Sequence, residues 1–441
     1  MRIDKLRAPL GSRLVSGAMW STIAAIGSSG ATIVLMALIA RLLGGEEYGK
    51  VVLLQSSVVS FGVLAGIGVG AAAARYLAAL RHTHPERLSN ILRLNEWAIV
   101  AGGTFVSVSV VVLAGSIASS LLRAPSLERS LQIAAPAILF LTMDGYFKSV
   151  LIGCESMRRL AVASILGVLA GAPLLVFGVY CCDTTGYAAA LSGSSAIQLF
   201  VSRKHATQQL RIALRGARPT RWWTEWRVLL DFALPAFLSS ALVGPVHWAC
   251  YVLLAREEGG LSEVATLNIA LQWFNAILFV PAMAGRVILP VITERISRGS
   301  RQDAWHVLLS AIVGNLLFVV PIALTISIAS RWILSIYGPD YIAGEAVLAQ
   351  MALVTVLVVA AAPIGHAIAA ENRMWVGAGM NFFWAALVFG TATSLVHMGA
   401  NGIVIAFGFG YAAHALWVFG YARRYTALSE GVLGRTSGNP S

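Results

Sequence analysis

Charge is what this sequence has least of. Of 441 residues only 12% are Asp, Glu, Lys or Arg, where a soluble domain carries about 25%. That excludes an ordinary water-facing surface, and 58% of the chain is hydrophobic, more than a globular core can hide. Four cysteines, Cys154, Cys181, Cys182 and Cys250, make no CxxC pair and have no histidines at ligand spacing, which argues against a zinc site or dithiol redox motif. Large extracytoplasmic loops are missing as well, every outer connection being about 20 residues or fewer. With no serine, cysteine or metal constellation on such a loop, the chain reads as no enzyme and as needing no cofactor.

What is present in quantity is apolar helix. A bilayer accepts this composition because about 20 apolar residues cross its hydrocarbon while satisfying their own backbone hydrogen bonds. Spans are expected near residues 14–40, 51–80, 97–121, 131–154, 160–181, 187–201, 228–254, 264–292, 307–328, 346–370, 376–396 and 403–421. The first follows Arg2, Lys5, Arg7 and Arg13 and is too long for a signal-peptide core of about 7–15 residues, so it is expected to remain as a membrane helix. The long connection from Ser202 to Arg227 carries Arg203, Lys204, Arg211, Arg215, Arg218, Arg221 and Arg227 with Trp222, Trp223 and Trp226, and reads as an amphipathic segment in the membrane interface.

Numbering the connections in chain order, Lys and Arg total 23 in the two tails and the even-numbered connections, against 6 in the odd-numbered ones. The positive-inside rule then places both termini in the cytoplasm, and the net charge of +12 needs no nucleic-acid partner. The chain also repeats: Ala40-Arg41 answers Ala255-Arg256 at an offset of 215, Pro125 answers Pro339 at 214, and Glu155 and Gly186 answer Glu371 and Gly402 at 216. Six spans per repeat make the halves parallel, as in transporters that bind substrate between two bundles. The fold class is therefore all-α, a polytopic integral membrane protein of about twelve helices in two parallel six-helix bundles. The expected divisions are an N-terminal bundle at 1–201, a basic cytoplasmic linker at 202–227, a C-terminal bundle at 228–421 and a cytoplasmic tail at 422–441. Pro235, Pro245, Pro281 and Pro290 in the second half, and Gly62, Gly66, Gly68 and Gly70 in the second span, suit either moving helices or ordinary close packing.

The run Leu38-Ile39-Ala40-Arg41-Leu42-Leu43-Gly44, then Glu46-Glu47-Tyr48-Gly49, then Gly66-Ile67-Gly68-Val69-Gly70 with Arg75-Tyr76, resembles the opening of Wzx-type oligosaccharide flippases. These are the polysaccharide-biosynthesis branch of the multidrug/oligosaccharidyl-lipid/polysaccharide (MOP) exporter superfamily, with a MATE-like fold. Phe232-Ala233-Leu234-Pro235 leading to Ser239-Ser240 is similar to that family's second-half opening. The resemblance implies a bacterial inner-membrane protein that flips an undecaprenyl-diphosphate-linked oligosaccharide, an O-antigen, capsule or exopolysaccharide unit, toward the periplasm. Its implied partners are that polyprenyl-diphosphate-linked oligosaccharide, membrane lipid, and a polysaccharide polymerase with other assembly proteins.

Ionisable residues inside spans are costly and so point to function. Arg75 and Arg286, on corresponding spans, are candidates to hold a diphosphate by charge-assisted hydrogen bonds; snorkelling to the interface is the rival reading. Asp144 and Lys148, four apart on one helix face, read first as a structural ion pair. The alternative makes Lys148 a substrate contact and Asp144 a protonatable coupling site. Arg41 and Arg256 stand where they would guide a headgroup at the periplasmic mouth or simply anchor spans. Asn268, Gln272 and Asn275 make one polar stripe, suited to hydroxyl-rich cargo or to helix–helix hydrogen bonds. His247, His366 and His414 lie within spans and read mainly as packing residues. Two other functions compete: a cation-coupled multidrug antiporter, disfavoured because only Asp144 is a deep acid, and a passive scramblase.

Overall fold

In the computed structural model, residues 10–436 are described apart from 67, 215, 218, 235–236, 238–241, 298–300 and 371–372. Pro235, Ser239, Ser240 and Glu371 therefore lie outside the described residues. All regular structure among the described residues is helical. The α-helices are α1 (Leu10–Gly66), α2 (Val69–Leu80), α3 (Pro85–Ser116), α4 (Glu128–Gly153), α5 (Met157–Leu214) and α6 (Val243–Ala255). They continue with α7 (Gly260–Ser297), α8 (Arg301–Ile328), α9 (Ser330–Tyr337), α10 (Glu345–Ala370), α11 (Met374–Leu395) and α12 (Gly399–Thr436).

Eight helical runs among the described residues are long and apolar enough to cross a bilayer. Three of these contain a sharp break, which makes eleven crossings, and the shorter apolar helix α6 is the remaining candidate for the expected twelve. At 58 residues α5 would reach about 87 Å if straight, nearly three hydrocarbon thicknesses. It turns instead at Cys182 and Asp183, the latter with φ of 46°. The two arms close up through glycine, since a Cβ on Gly178 or Gly186 would strike the other's carbonyl. α1 breaks at Gly44, whose φ of 75° is easy only for glycine, and Gly399 at φ 65° opens α12 after a 3₁₀ turn, Val396–Met398. Gly68, also left-handed, separates α1 from α2 in the middle of the second expected span.

The ends of two spans differ from expectation. α3 begins at Pro85 rather than near 97, with proline in its first turn where the missing N–H costs nothing. α5 runs on to Leu214 rather than ending near 201. Both extensions are amphipathic: 85–96 buries Leu88, Ile91 and Leu92 while Arg87 and Arg93 stay exposed, so a hydropathy window that counts only apolar residues stops too soon. In consequence the basic stretch 202–227 is not one segment. Its first part is membrane helix carried past the apolar run, and its last part is a 3₁₀ turn, Trp222–Glu225.

Contacts divide the chain into two compact units, Met1–Ala265 with Ile336–Asp340, and Thr266–Ser335 with Tyr341–Ser441. In the first, Ala73 and Leu77 of α2, Leu88, Leu92 and Ile99 of α3, Tyr146, Phe147, Val150 and Leu151 of α4, and Ala163 and Ala206 of α5 share one core. The stretch from Val228 joins this unit because Val228 and Ala233 pack with Ala72 of α2 and Ile91 of α3. In the second unit the core draws Ile292 from α7, Leu308 and Ile312 from α8, Ile364 and Ile368 from α10, Met380 from α11 and Val418 from α12. Outward-facing side chains are as apolar as the core: Val112 is 75% exposed and Ile328 85%. Water would penalise that surface and hydrocarbon would not, so the chain is a polytopic membrane protein.

Candidate functional site

Asp144 and Lys148 meet as their spacing on α4 predicts, Lys148 Nζ lying 2.7 Å from Asp144 Oδ2. The other carboxylate oxygen accepts a 2.6 Å hydrogen bond from Ser202 Oγ of α5. With the carboxylate only 6% exposed, both oxygens are satisfied inside the bundle, the arrangement a buried charge requires. Ser202 stands immediately before Arg203 at the head of the basic run, and nothing local marks it as a carboxylate partner, because Asp144 is 58 residues away.

Arg75 projects from α2 in a different environment. Its guanidinium lies 4.3 Å from the centroid of the Phe232 ring, and Tyr76 meets the same ring edge-on at 6.2 Å. Arg75 is exposed and has no acidic partner among the described residues. A guanidinium over an aromatic face is attracted to the ring and still has N–H donors to offer an acceptor. Phe232 was visible in the sequence only as part of a resemblance, since its contact with Arg75 joins positions 157 apart.

Arg256 is engaged with backbone: Nε donates to Leu121 O at 3.0 Å and Nη2 to Ser120 O at 3.3 Å. These are carbonyls of the π-helical turn Ile117–Leu121 that closes α3, so Arg256 anchors helix ends. Arg41 is exposed beside the Gly44 break. Near that break Gly45 N donates to Asp340 Oδ2 at 3.2 Å, while Lys50 pairs with Glu47 at 2.6 Å and Thr184 Oγ1 donates to Glu47 Oε2 at 2.9 Å.

In the second unit, Gln272 Nε2 donates to Asn268 Oδ1 at 2.6 Å along α7, and Asn275 Nδ2 donates to Leu271 O at 2.8 Å. The stripe is thus partly bonded to its own helix, with Asn275 at its exposed end. Arg286 follows on the same helix, and its side chain lies outside the described residues. The preceding Gly285 packs so closely on His366 of α10 that a Cβ there would collide with the imidazole. His366 and His414 are half-buried, consistent with packing roles. The structure therefore groups Asp144, Lys148 and Ser202, sets Arg75 against Phe232, and uses Arg256 as an anchor.

The tryptophan-rich turn is tied to the extension of α3. Trp222 stacks on Trp97 with centroids 6.0 Å apart and planes 9° from parallel, and Arg93 lies over Trp97 at 5.7 Å. Arg87 forks onto Glu225 at 3.1 and 3.3 Å, and Thr220 N donates to Asn90 Oδ1 at 2.8 Å.

Among known proteins, a family model described as "Polysaccharide biosynthesis protein" matches residues 14–296. The "EPS I polysaccharide export inner membrane protein EpsE" of Ralstonia nicotianae (strain ATCC BAA-1114 / GMI1000) is 24% identical over 392 residues, 88% of this chain and 86% of that protein. Its namesake in Ralstonia solanacearum is 23% identical over 409 residues, 91% and 90% of the two chains. In structure the chain is similar to a multidrug resistance MATE family transporter of the MOP superfamily in an inward-facing conformation, with a TM-score of 0.73, 15% identity and coverage of 94% and 99%. A MOP superfamily transporter from Pyrococcus furiosus aligns at a TM-score of 0.68 with 16% identity, covering 96% and 98%. With a family match over most of its length, the chain belongs to the polysaccharide biosynthesis protein family, and it carries a MATE-like helical fold.

Proposed function

We propose that this membrane transporter is a flippase that carries an undecaprenyl-diphosphate-linked oligosaccharide from the cytoplasmic to the periplasmic leaflet by alternating access. The observation that carries the reading is Arg75, an exposed cation on α2 set over Phe232 and without an acidic partner among the described residues. A diphosphate and its sugars do not enter hydrocarbon unaided, and a guanidinium edge offers the paired donors that phosphate accepts. Arg286, on α7, is the second proposed phosphate ligand, with Asn268, Gln272 and Asn275 of that helix facing the sugar. The names of the two Ralstonia relatives support a polysaccharide cargo.

The antiporter reading, suggested by the multidrug transporters that share the fold, draws no support from Asp144. Exchange of cations needs an acid free to release its charge, and this carboxylate already satisfies Lys148 and Ser202. Deleting the gene tests the proposal. Lipid-linked oligosaccharide is expected to accumulate on the cytoplasmic side and polysaccharide export to stop, both restored by the wild-type chain; unchanged export with lost drug or cation exchange would favour the antiporter.

A further inference from the structure

The basic stretch contains two kinds of cation. Near Trp222, Arg227 lies over the Trp226 ring at 5.9 Å, and the one acid there, Glu225, is taken by Arg87 of α3. On the last turns of α5, in contrast, Arg203, Lys204 and Arg211 are exposed and have no acidic partner among the described residues. With Phe200, Thr207 and Gln208 they line a recess of about 400 Å³. Arg159 adds a fourth positive charge beside it, its Nη1 donating to Gln208 Oε1 at 3.0 Å.

The polarity along this helix face says what the recess faces. Positions 189, 193, 196, 197 and 200 fall on one stripe and are Ala189, Gly193, Ala196, Ile197 and Phe200, none of them charged or hydrogen-bonding through a side chain. Positions 203, 204, 207 and 211 continue the same stripe and are Arg203, Lys204, Thr207 and Arg211. Phe200 is 69% exposed, whereas Ser202 and Ala206 on the opposite side are fully buried in the bundle. A face turned outward, wholly apolar up to one level and cationic immediately beyond it, matches the step from hydrocarbon to headgroups. A passage for oligosaccharide would need polar groups along its length instead.

We infer that Arg203, Lys204 and Arg211 form a binding site for the phosphate headgroup of an anionic membrane phospholipid, with its acyl chains lying along Phe200 and the apolar stripe above. The site is distinct from the transported lipid's, and it does not depend on what the protein transports. Each cation near an anionic surface strengthens binding by roughly fivefold, so three together discriminate strongly against a zwitterionic lipid.

Full-length protein in neutral detergent, titrated with dioctanoyl phosphatidylglycerol and followed by native mass spectrometry, provides the test. Phosphatidylglycerol is expected to bind at least tenfold more tightly than dioctanoyl phosphatidylcholine. The preference should vanish in R203Q/K204Q/R211Q, survive in R203K/R211K, and weaken as salt shortens the screening length to a few Å at about 0.5 M. An unchanged melting temperature of the glutamine variant in neutral detergent would show that it remains folded. Retention of the phosphatidylglycerol preference in that variant overturns the site. Displacement of phosphatidylglycerol by an equal concentration of farnesyl diphosphate also overturns it, by assigning the recess to the transported lipid's headgroup.

Discussion

At the scale of single residues, the spacing of Asp144 and Lys148 made their ion pair legible in the sequence, whereas Ser202 and Phe232 were not, because their partners are remote in the chain. The satisfied carboxylate carries a prediction. Asp144→Asn should leave lipid-linked oligosaccharide delivery and its pH dependence intact at matched protein levels, while lowering thermal stability by about 2 kcal/mol as the charge on Lys148 loses its counterion. Lost delivery with unchanged stability would instead make Asp144 a coupling group. Arg75 predicts the reverse pattern. Arg75→Ala should reduce delivery about tenfold with the protein still accumulating, the scale of a lost charged hydrogen bond. Phe232→Leu, which removes only the ring beneath the guanidinium, should cost about two- to fivefold. Equal delivery by wild type and Arg75→Ala would remove Arg75 from the site.

Whole elements were legible where they are apolar. Hydropathy located the helices because a bilayer tolerates little else, yet it ended α3 and α5 short, since Arg87, Arg93, Arg203 and Lys204 stand on amphipathic turns beyond the apolar run. Backbone breaks were less readable. Gly44 and Gly399 stand at connections that the hydropathy gaps had marked, whereas the division of the second span at Gly68 depends on a left-handed residue whose need arises only in the folded bundle. The hairpin within α5 gives the sharpest element-scale prediction. With no room for a Cβ between Gly178 and Gly186, Gly178→Leu should overpack the turn by 2 kcal/mol or more and deplete the protein from the membrane. Gly193→Leu, which meets only a flexible leucine end, should be milder. Comparable membrane levels for the two variants would contradict that packing.

For the whole molecule, the low charge and long apolar runs established a polytopic helical membrane protein, and the motif at residues 38–76 pointed to the family that residues 14–296 then matched. Cargo was not legible in the same way. On the proposed reading the substrate is met by a few cations and hydroxyl-binding groups scattered over distant helices, and composition averages them away. The proposed orientation is open to a direct check: reporters fused after Arg424 and within 215–221 should both register the cytoplasm, and a periplasmic signal from either would break the twelve-span arrangement. Reconstitution provides the most direct measurement of the central claim. Purified protein in vesicles loaded with fluorescent undecaprenyl-diphosphate oligosaccharide should speed its appearance in the opposite leaflet. Arg286→Ala should abolish the acceleration at equal protein content, and Arg286→Lys should restore part of it, keeping the charge without the planar fork. Full acceleration by Arg286→Ala, or none by the wild-type chain, would contradict the account.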